Sequence, residues 1–162
     1  MQDTFFAYEN FEQALSRGGE YVTQVRGVSM YPMLRYRRDP VLIQPVRQEL
    51  KRYDVAVYNR GDGYVVHRIL EVRPHSYVFR GDNCIGNEIV GKDLVLGIVT
   101  GFWRVPSKGG TGRFVSVENR WYRLYSRIWV ALNPVNVKFI GFVHRCCGLP
   151  GRFLKRIRSG RA

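Results

Sequence analysis

The chain predicts a mainly β protein: a folded antiparallel sheet or partial barrel, with a short helix before it and a basic helical extension after it. Two observations carry that prediction. Between residues 20 and 105, hydrophobic side chains recur with a period of two in runs rich in Val, Ile and Tyr, and turn-forming residues break the runs. On either side of this stretch the period lengthens to that of a helix. With 162 residues, 45% of them hydrophobic and 14% aromatic, the chain can bury a core and lacks the composition of a disordered one.

Residues 4–17 place Phe5, Phe6 and Leu15 in an amphipathic pattern that stops at Gly18-Gly19, as a helix with a glycine end does. Strands are expected at 21–26, 40–46, 54–59, 64–72, 77–80 and 94–105. Arg60-Gly61-Asp62-Gly63 joins the third to the fourth as a hairpin turn, because Gly and Asp-Gly adopt positive φ at little cost. Short strands joined in this way make an antiparallel fold. Residues 106–113, PSKGGTGR, read as a flexible connector between a core of 1–105 and an extension of 114–162. In the extension, Trp121, Leu124, Tyr125, Ile128, Trp129 and Leu132 form one apolar helical stripe, flanked by Arg120, Arg123 and Arg127 and ended by Asn133-Pro134. Packed on the sheet, this is an ordinary surface helix. Laid on a lipid surface, it would hold tryptophans at headgroup depth and arginines on phosphates.

Charge is distributed unevenly. The net charge is +13, yet residues 1–100 hold 13 basic and 12 acidic side chains, whereas residues 101–162 hold 13 basic and only Glu118 as an acid. A cationic segment of this kind suits an anionic partner, and the sequence 120–161 points to an anionic membrane surface. No helix-turn-helix, zinc-finger or ribonucleoprotein signature accompanies the charge, so nucleic acid ranks last among such partners. Cys84, Cys146 and Cys147 are odd in number and two are adjacent, which suits a reducing compartment and not a disulfide framework. No run reaches the roughly 18 apolar residues of a spanning helix, and the N-terminus lacks the regions of a signal peptide. The expectation is a cytoplasmic protein with access to the inner face of a membrane.

Three short segments carry the candidate chemistry. Gly27-Val28-Ser29-Met30-Tyr31-Pro32 presents a serine in a turn. Val65-Val66-His67-Arg68-Ile69 places a histidine inside a strand, on the face shared with Val65 and Ile69. Arg80-Gly81-Asp82-Asn83 ends a strand in an acidic turn. A nucleophilic serine needs a base to take its proton and donors for the oxyanion, and a histidine base gains from an acid that orients it.

In this order, and with the strand that begins at Asp54, the boxes resemble the serine peptidases of the signal peptidase I and LexA-type clan over residues 20–100. The resemblance implies that clan's antiparallel catalytic core, with Ser29 as nucleophile at the edge of a peptide groove that prefers small side chains. It implies no cofactor and no metal. Bacterial members carry a lysine where this chain has His67, and the Val-His-Arg pattern is similar to the endoplasmic-reticulum and sporulation types. A histidine already titrates near neutrality, so the exchange makes chemical sense. Asp82 matches the acidic box first, and Glu88 or Asp93 are the alternatives as the orienting acid. The Ser29 N–H is the expected oxyanion donor. Gly27 stands where some relatives add a hydroxyl, Met30 is expected beneath the serine, and Pro32 is expected to fix the turn. The resemblance is expected to be to the peptidase core alone, without the membrane span of signal peptidases or the DNA-binding domain and self-cleavage site of the repressors. The function implied is a serine endopeptidase that removes a leader or signal-like segment from a peptide or protein precursor. A non-catalytic peptide-binding homologue is the alternative, and a basic protein associated with nucleic acid is the third.

Overall fold

A computed structural model describes residues 8–133 and 135. Its first element, α1 (Tyr8–Ser16), buries Phe11 and Leu15. The Phe11 ring meets Tyr21 edge-on at 5.1 Å and Tyr64 at 5.0 Å, which anchors the helix to the sheet. Gly18, at φ 75°, turns the chain out of the helix in the left-handed conformation that glycine adopts without strain. Phe5 and Phe6 lie outside the described residues.

Eight strands form one antiparallel sheet: β1 (Tyr21–Gln24), β2 (Pro40–Pro45), β3 (Val55–Asn59), β4 (Tyr64–Val72), β5 (Ser76–Arg80), β6 (Glu88–Gly91), β7 (Val95–Arg104) and β8 (Arg113–Ser116). The order along the sheet is β1-β2-β7-β3-β4-β5-β6, and β8 adds to the far end of β7. β1 and β6 end the path without pairing to each other, so the sheet is open and not a closed barrel. The six expected strands all form, with ends that differ by at most two residues. β6 and β8 are additional. Each is four residues long, too short for a period-two pattern to stand out.

The sheet is covered on both faces. Val55, Val57 and Val66 join Met30, Met33 and Phe11 in one cluster, while Ala56, Tyr58, Val65, Ile69 and Phe79 form the other. This is why β4 is buried without interruption from Tyr64 to Ile69, although its partner strand and turn are typical of a hairpin.

The connector expected at 106–113 is in fact the loop of a β7–β8 hairpin. Phe114 stands opposite Trp103 with ring centroids 4.9 Å apart, and Gly101 leaves room for the Phe114 ring. The sheet therefore continues past residue 105. α2 (Arg120–Ala131) follows, with the Asn119 side chain capping its first turn by accepting from the Trp121 N–H at 2.8 Å.

The segment 27–39 is pinned by one carboxylate. Asp39 is wholly buried and accepts from Arg35 Nε at 2.8 Å, Arg104 Nη1 at 2.6 Å and the Val105 N–H at 3.2 Å. Arg104 also donates to the carbonyls of Met33 at 2.8 Å and Pro32 at 3.4 Å, which ties the loop to the end of β7. Burial alone would push the Asp39 carboxyl up. The hydrogen bonds from Arg35 and Val105 and the Arg104 charge outweigh it and hold the group below its ordinary value of 3.8. A carboxyl depressed on folding contributes stability above its unfolded value and loses it as the pH falls through the folded one. Asp39→Asn is therefore expected to lower the unfolding free energy by about 2–3 kcal/mol at neutral pH. In denaturant titrations its deficit from wild type should shrink as the pH is taken below 3.8.

Candidate active site

Alternation along β4 sends neighbouring residues to opposite faces, His67 to one and Arg68 to the other. Both are buried, with relative exposures of 1% and 0%. On the first face His67 stands opposite Ala56 of β3, which makes Tyr58 its diagonal neighbour. The Tyr58 hydroxyl donates to Glu88 Oε2 at 2.7 Å and lies 3.1 Å from His67 Nδ1. Glu88 Oε1 lies 3.6 Å from the same nitrogen. A phenol has one proton to donate. With that proton given to Glu88, Tyr58 can only accept at Nδ1, so a neutral imidazole carries its hydrogen on Nδ1 and its lone pair on Nε2. Register brings the acid there: Ile69 pairs with Phe79, and Phe79 with Glu88.

The Nε2 side of the ring faces the serine loop across Gly81. A Cβ built on Gly81 would lie 3.0 Å from His67 Nε2, 2.7 Å from the Ser29 carbonyl oxygen and 2.8 Å from Cys84 Sγ. Only glycine leaves these groups room to approach. The turn after β5 is bonded to the serine loop, with the Asn83 N–H donating to Ser29 O at 2.7 Å and Asn83 Nδ2 to Val28 O at 3.3 Å. Ser29 and His67, 38 positions apart in the chain, are thus held against the same residue. Ser29 is 4% exposed. Among the described residues nothing accepts from its backbone N–H. Gly27 sits at φ 103°, where a hydroxyl-bearing residue two positions before the serine would be strained. Met30 is 2% exposed and belongs to the core cluster beneath the loop. The Tyr31–Pro32 peptide that follows is cis.

Asp82 does not reach His67. Arg68 pairs with Arg80 of β5, and Asp82, two residues further on, keeps to the Arg68 side of the sheet. There Arg68 Nε and Nη2 donate to its two oxygens, each at 2.8 Å, in a bidentate pair that is almost wholly buried. Of the three acids considered, Glu88 is the one beside the histidine. Asp93 is exposed in the 3₁₀ turn Lys92–Leu94, folded back on Gly91.

Arg68 gathers more than Asp82. It donates to Tyr53 O at 3.0 Å, Ser126 Oγ at 2.9 Å, Tyr122 Oη at 3.3 Å and Met33 Sδ at 3.2 Å. Burial alone would lower its pKa, but the Asp82 charge, with Tyr122 and the hydrogen bonds to both, outweighs that and raises it above its ordinary value. Burial also pushes the Tyr122 phenol up, against the pull of Arg68. Trp129 Nε1 and Asn133 Nδ2 donate to the Asp82 carbonyl at 2.9 and 3.1 Å.

These bonds rotate α2 away from the orientation its apolar stripe suggests. The helix packs through Tyr122, Ser126 and Trp129, and Trp121, Leu124, Ile128 and Leu132 face outward. The reason is energetic: a buried guanidinium without partners costs about 3–5 kcal/mol and a buried carbonyl without one about 1–3 kcal/mol, against about 1.5–3 kcal/mol for burying one more leucine. A groove of about 670 Å³ opens between this helix, β8 and the serine loop, which reaches it at Pro32 and Met33. Ser29 and His67 do not line it.

Sequence reasoning did not single out Tyr58, Arg68 or Cys84. A signal existed for two of them. The hairpin turn at 60–63 sets a register that makes Tyr58 diagonal to His67, and an arginine inside an apolar strand implies a buried acid. The two acids can be told apart by experiment. Asp82→Asn, which leaves Arg68 buried without its charge partner, is expected to destabilise the fold by about 3–5 kcal/mol. Glu88→Gln, partly exposed, should cost no more than about 1 kcal/mol by the same denaturation measurement.

Comparison with family models, with curated proteins and with solved structures finds no match for this chain.

Proposed function

We propose that the protein is a serine endopeptidase of signal-peptidase-like type, which removes a leader or signal-like segment from a peptide or protein precursor. The observation that carries this reading is the orientation of His67, with Nδ1 held by Tyr58 and Glu88 and Nε2 turned toward the Ser29 loop across Gly81. The resemblance of the GVSMYP, VVHRI and RGDN boxes to the signal peptidase I and LexA-type clan supplies the substrate class. In this reading the open antiparallel sheet is that clan's catalytic core.

On this reading the steps are those of a Ser29–His67 dyad. His67 Nε2 takes the Ser29 hydroxyl proton as Oγ attacks the scissile carbonyl, and the Ser29 N–H donates to the oxyanion that forms. The imidazolium is stabilised by the Glu88 carboxylate, directly and through the Tyr58 hydroxyl. His67 then gives the proton to the leaving amine, and the C–N bond breaks to leave an acyl-serine. Water, deprotonated by the same nitrogen, releases the acid and restores the hydroxyl.

One observation favours a second reading, a peptide-binding homologue that does not turn over. Ser29 and His67 are 4% and 1% exposed, a site closed to substrate as it stands. Activity requires the loop 27–39 or the turn at 81–84 to open. A fluorophosphonate probe decides between the two. Labelling of wild type and not of Ser29→Ala supports the peptidase, and an unlabelled wild type supports the binding module. On small-residue peptide libraries, Ser29→Ala is expected to abolish cleavage. His67→Ala should lower kcat/KM by about 10²–10⁴-fold and Glu88→Gln by a smaller factor.

A further inference from the structure

The outward face of α2 has no counterpart on the sheet. Trp121 is 79% exposed, and Leu124, Ile128 and Leu132 are 47%, 49% and 49% exposed, all on one side of the helix. Beside this strip, on the same outer half, run Arg120, Arg123 and Arg127. Arg123 pairs with Glu118 at 2.6 Å, and the other two have no acidic partner among the described residues. The groove at the N-terminal end of the helix adds Arg113 beside the exposed rings of Trp121 and Phe114. An apolar strip against a basic strip, with tryptophan at the boundary, is the pattern of a helix that lies in a bilayer interface. A strip meant for a second protein copy would meet a like-charged surface, since residues 101–162 hold 13 basic side chains and one acid.

We propose that the outer face of α2 docks the protein on an anionic phospholipid bilayer, with Trp121, Leu124, Ile128 and Leu132 at the acyl boundary and the flanking arginines on lipid phosphates. The inner face of the same helix holds Arg68 through Ser126 and Tyr122, and Trp129 holds the Asp82 carbonyl. The bilayer surface therefore lies about one helix diameter, roughly 10–12 Å, from the turn that carries Gly81. Docking on this face sets the candidate site at a fixed height above the lipid and directs it to polypeptide segments presented at that surface. The docking stands apart from the peptidase reading, and only its consequence for substrate choice depends on that reading.

Vesicle co-sedimentation of the full chain tests it without any activity assay. Phosphatidylglycerol-containing vesicles are expected to bind the protein, phosphatidylcholine vesicles to bind it at least about tenfold more weakly, and added salt to weaken binding. Trp121→Ser/Ile128→Ser and Arg120→Glu/Arg127→Glu should each weaken binding about tenfold or more, with circular dichroism unchanged because all four positions are exposed. Three results would overturn the proposal. The first is binding that both double variants leave intact, since the segment 136–162 would then carry it. The second is equal affinity for neutral vesicles. The third is a concentration-dependent dimer that the Trp121/Ile128 variant abolishes.

Discussion

The buried pair of Arg68 and Asp82 is the interaction on which the rest of the described structure depends. An isolated guanidinium in an apolar core is too costly to persist, so every element that touches Arg68 is selected for what it can offer. The turn after β5 supplies the Asp82 carboxylate, the segment before β3 supplies the Tyr53 carbonyl, the serine loop supplies the Met33 sulfur and α2 supplies two hydroxyls. Tyr53 adopts a left-handed φ of 79°, an uncommon conformation for a tyrosine, at the point where its carbonyl meets the guanidinium. Four chain segments distant in sequence are thus brought to one cation, and the fold loses its freedom to slide there.

The consequence for the candidate site is a division of labour across one peptide bond. His67 and Arg68 are adjacent, and the pleat sends them to opposite faces of β4. Arg68 fixes the architecture through Asp82, and Asp82 sits in the turn whose neighbours, Gly81 and Asn83, meet Ser29. His67 is left to the other face, with Tyr58 and Glu88 behind it. The acid of the RGDN box and the acid beside the histidine are therefore two residues with two tasks. Burial separates them: Asp82 is sealed in with a cation, whereas Glu88 is partly exposed beside a histidine.

Much of this was legible in the residues. Period-two runs marked six strands to within a residue or two, and the Arg60–Gly63 turn marked the hairpin that positions His67 and Tyr58. Of the residues the sequence marks, Ser29 and Glu88 come to the surroundings of His67, Ser29 across Gly81 and Glu88 at Nδ1, whereas Asp82 is taken by Arg68 on the opposite face of β4. Less legible was the orientation of α2. Its apolar stripe argued for packing through Trp121, Leu124 and Ile128, and polar satisfaction around Arg68 turned those residues outward instead. Periodicity reports which face is apolar, but it does not weigh that face against the cost of an unpaired buried charge.

What the sequence determined by itself is local: strand and turn propensity, the glycine stop at Gly18-Gly19, the alternation that parts His67 from Arg68, and the cationic bias beyond residue 100. These depend on sterics and side-chain type within a few residues. What only the tertiary structure decided is pairing. Glu88 reaches His67 through the register of β4, β5 and β6, Asp82 is taken by Arg68, and α2 closes over the Asp82 turn. Partners 14 to 58 positions apart along the chain meet only when the whole sheet has formed. The choice among them is made by desolvation, which acts on a charge only once its surroundings are closed.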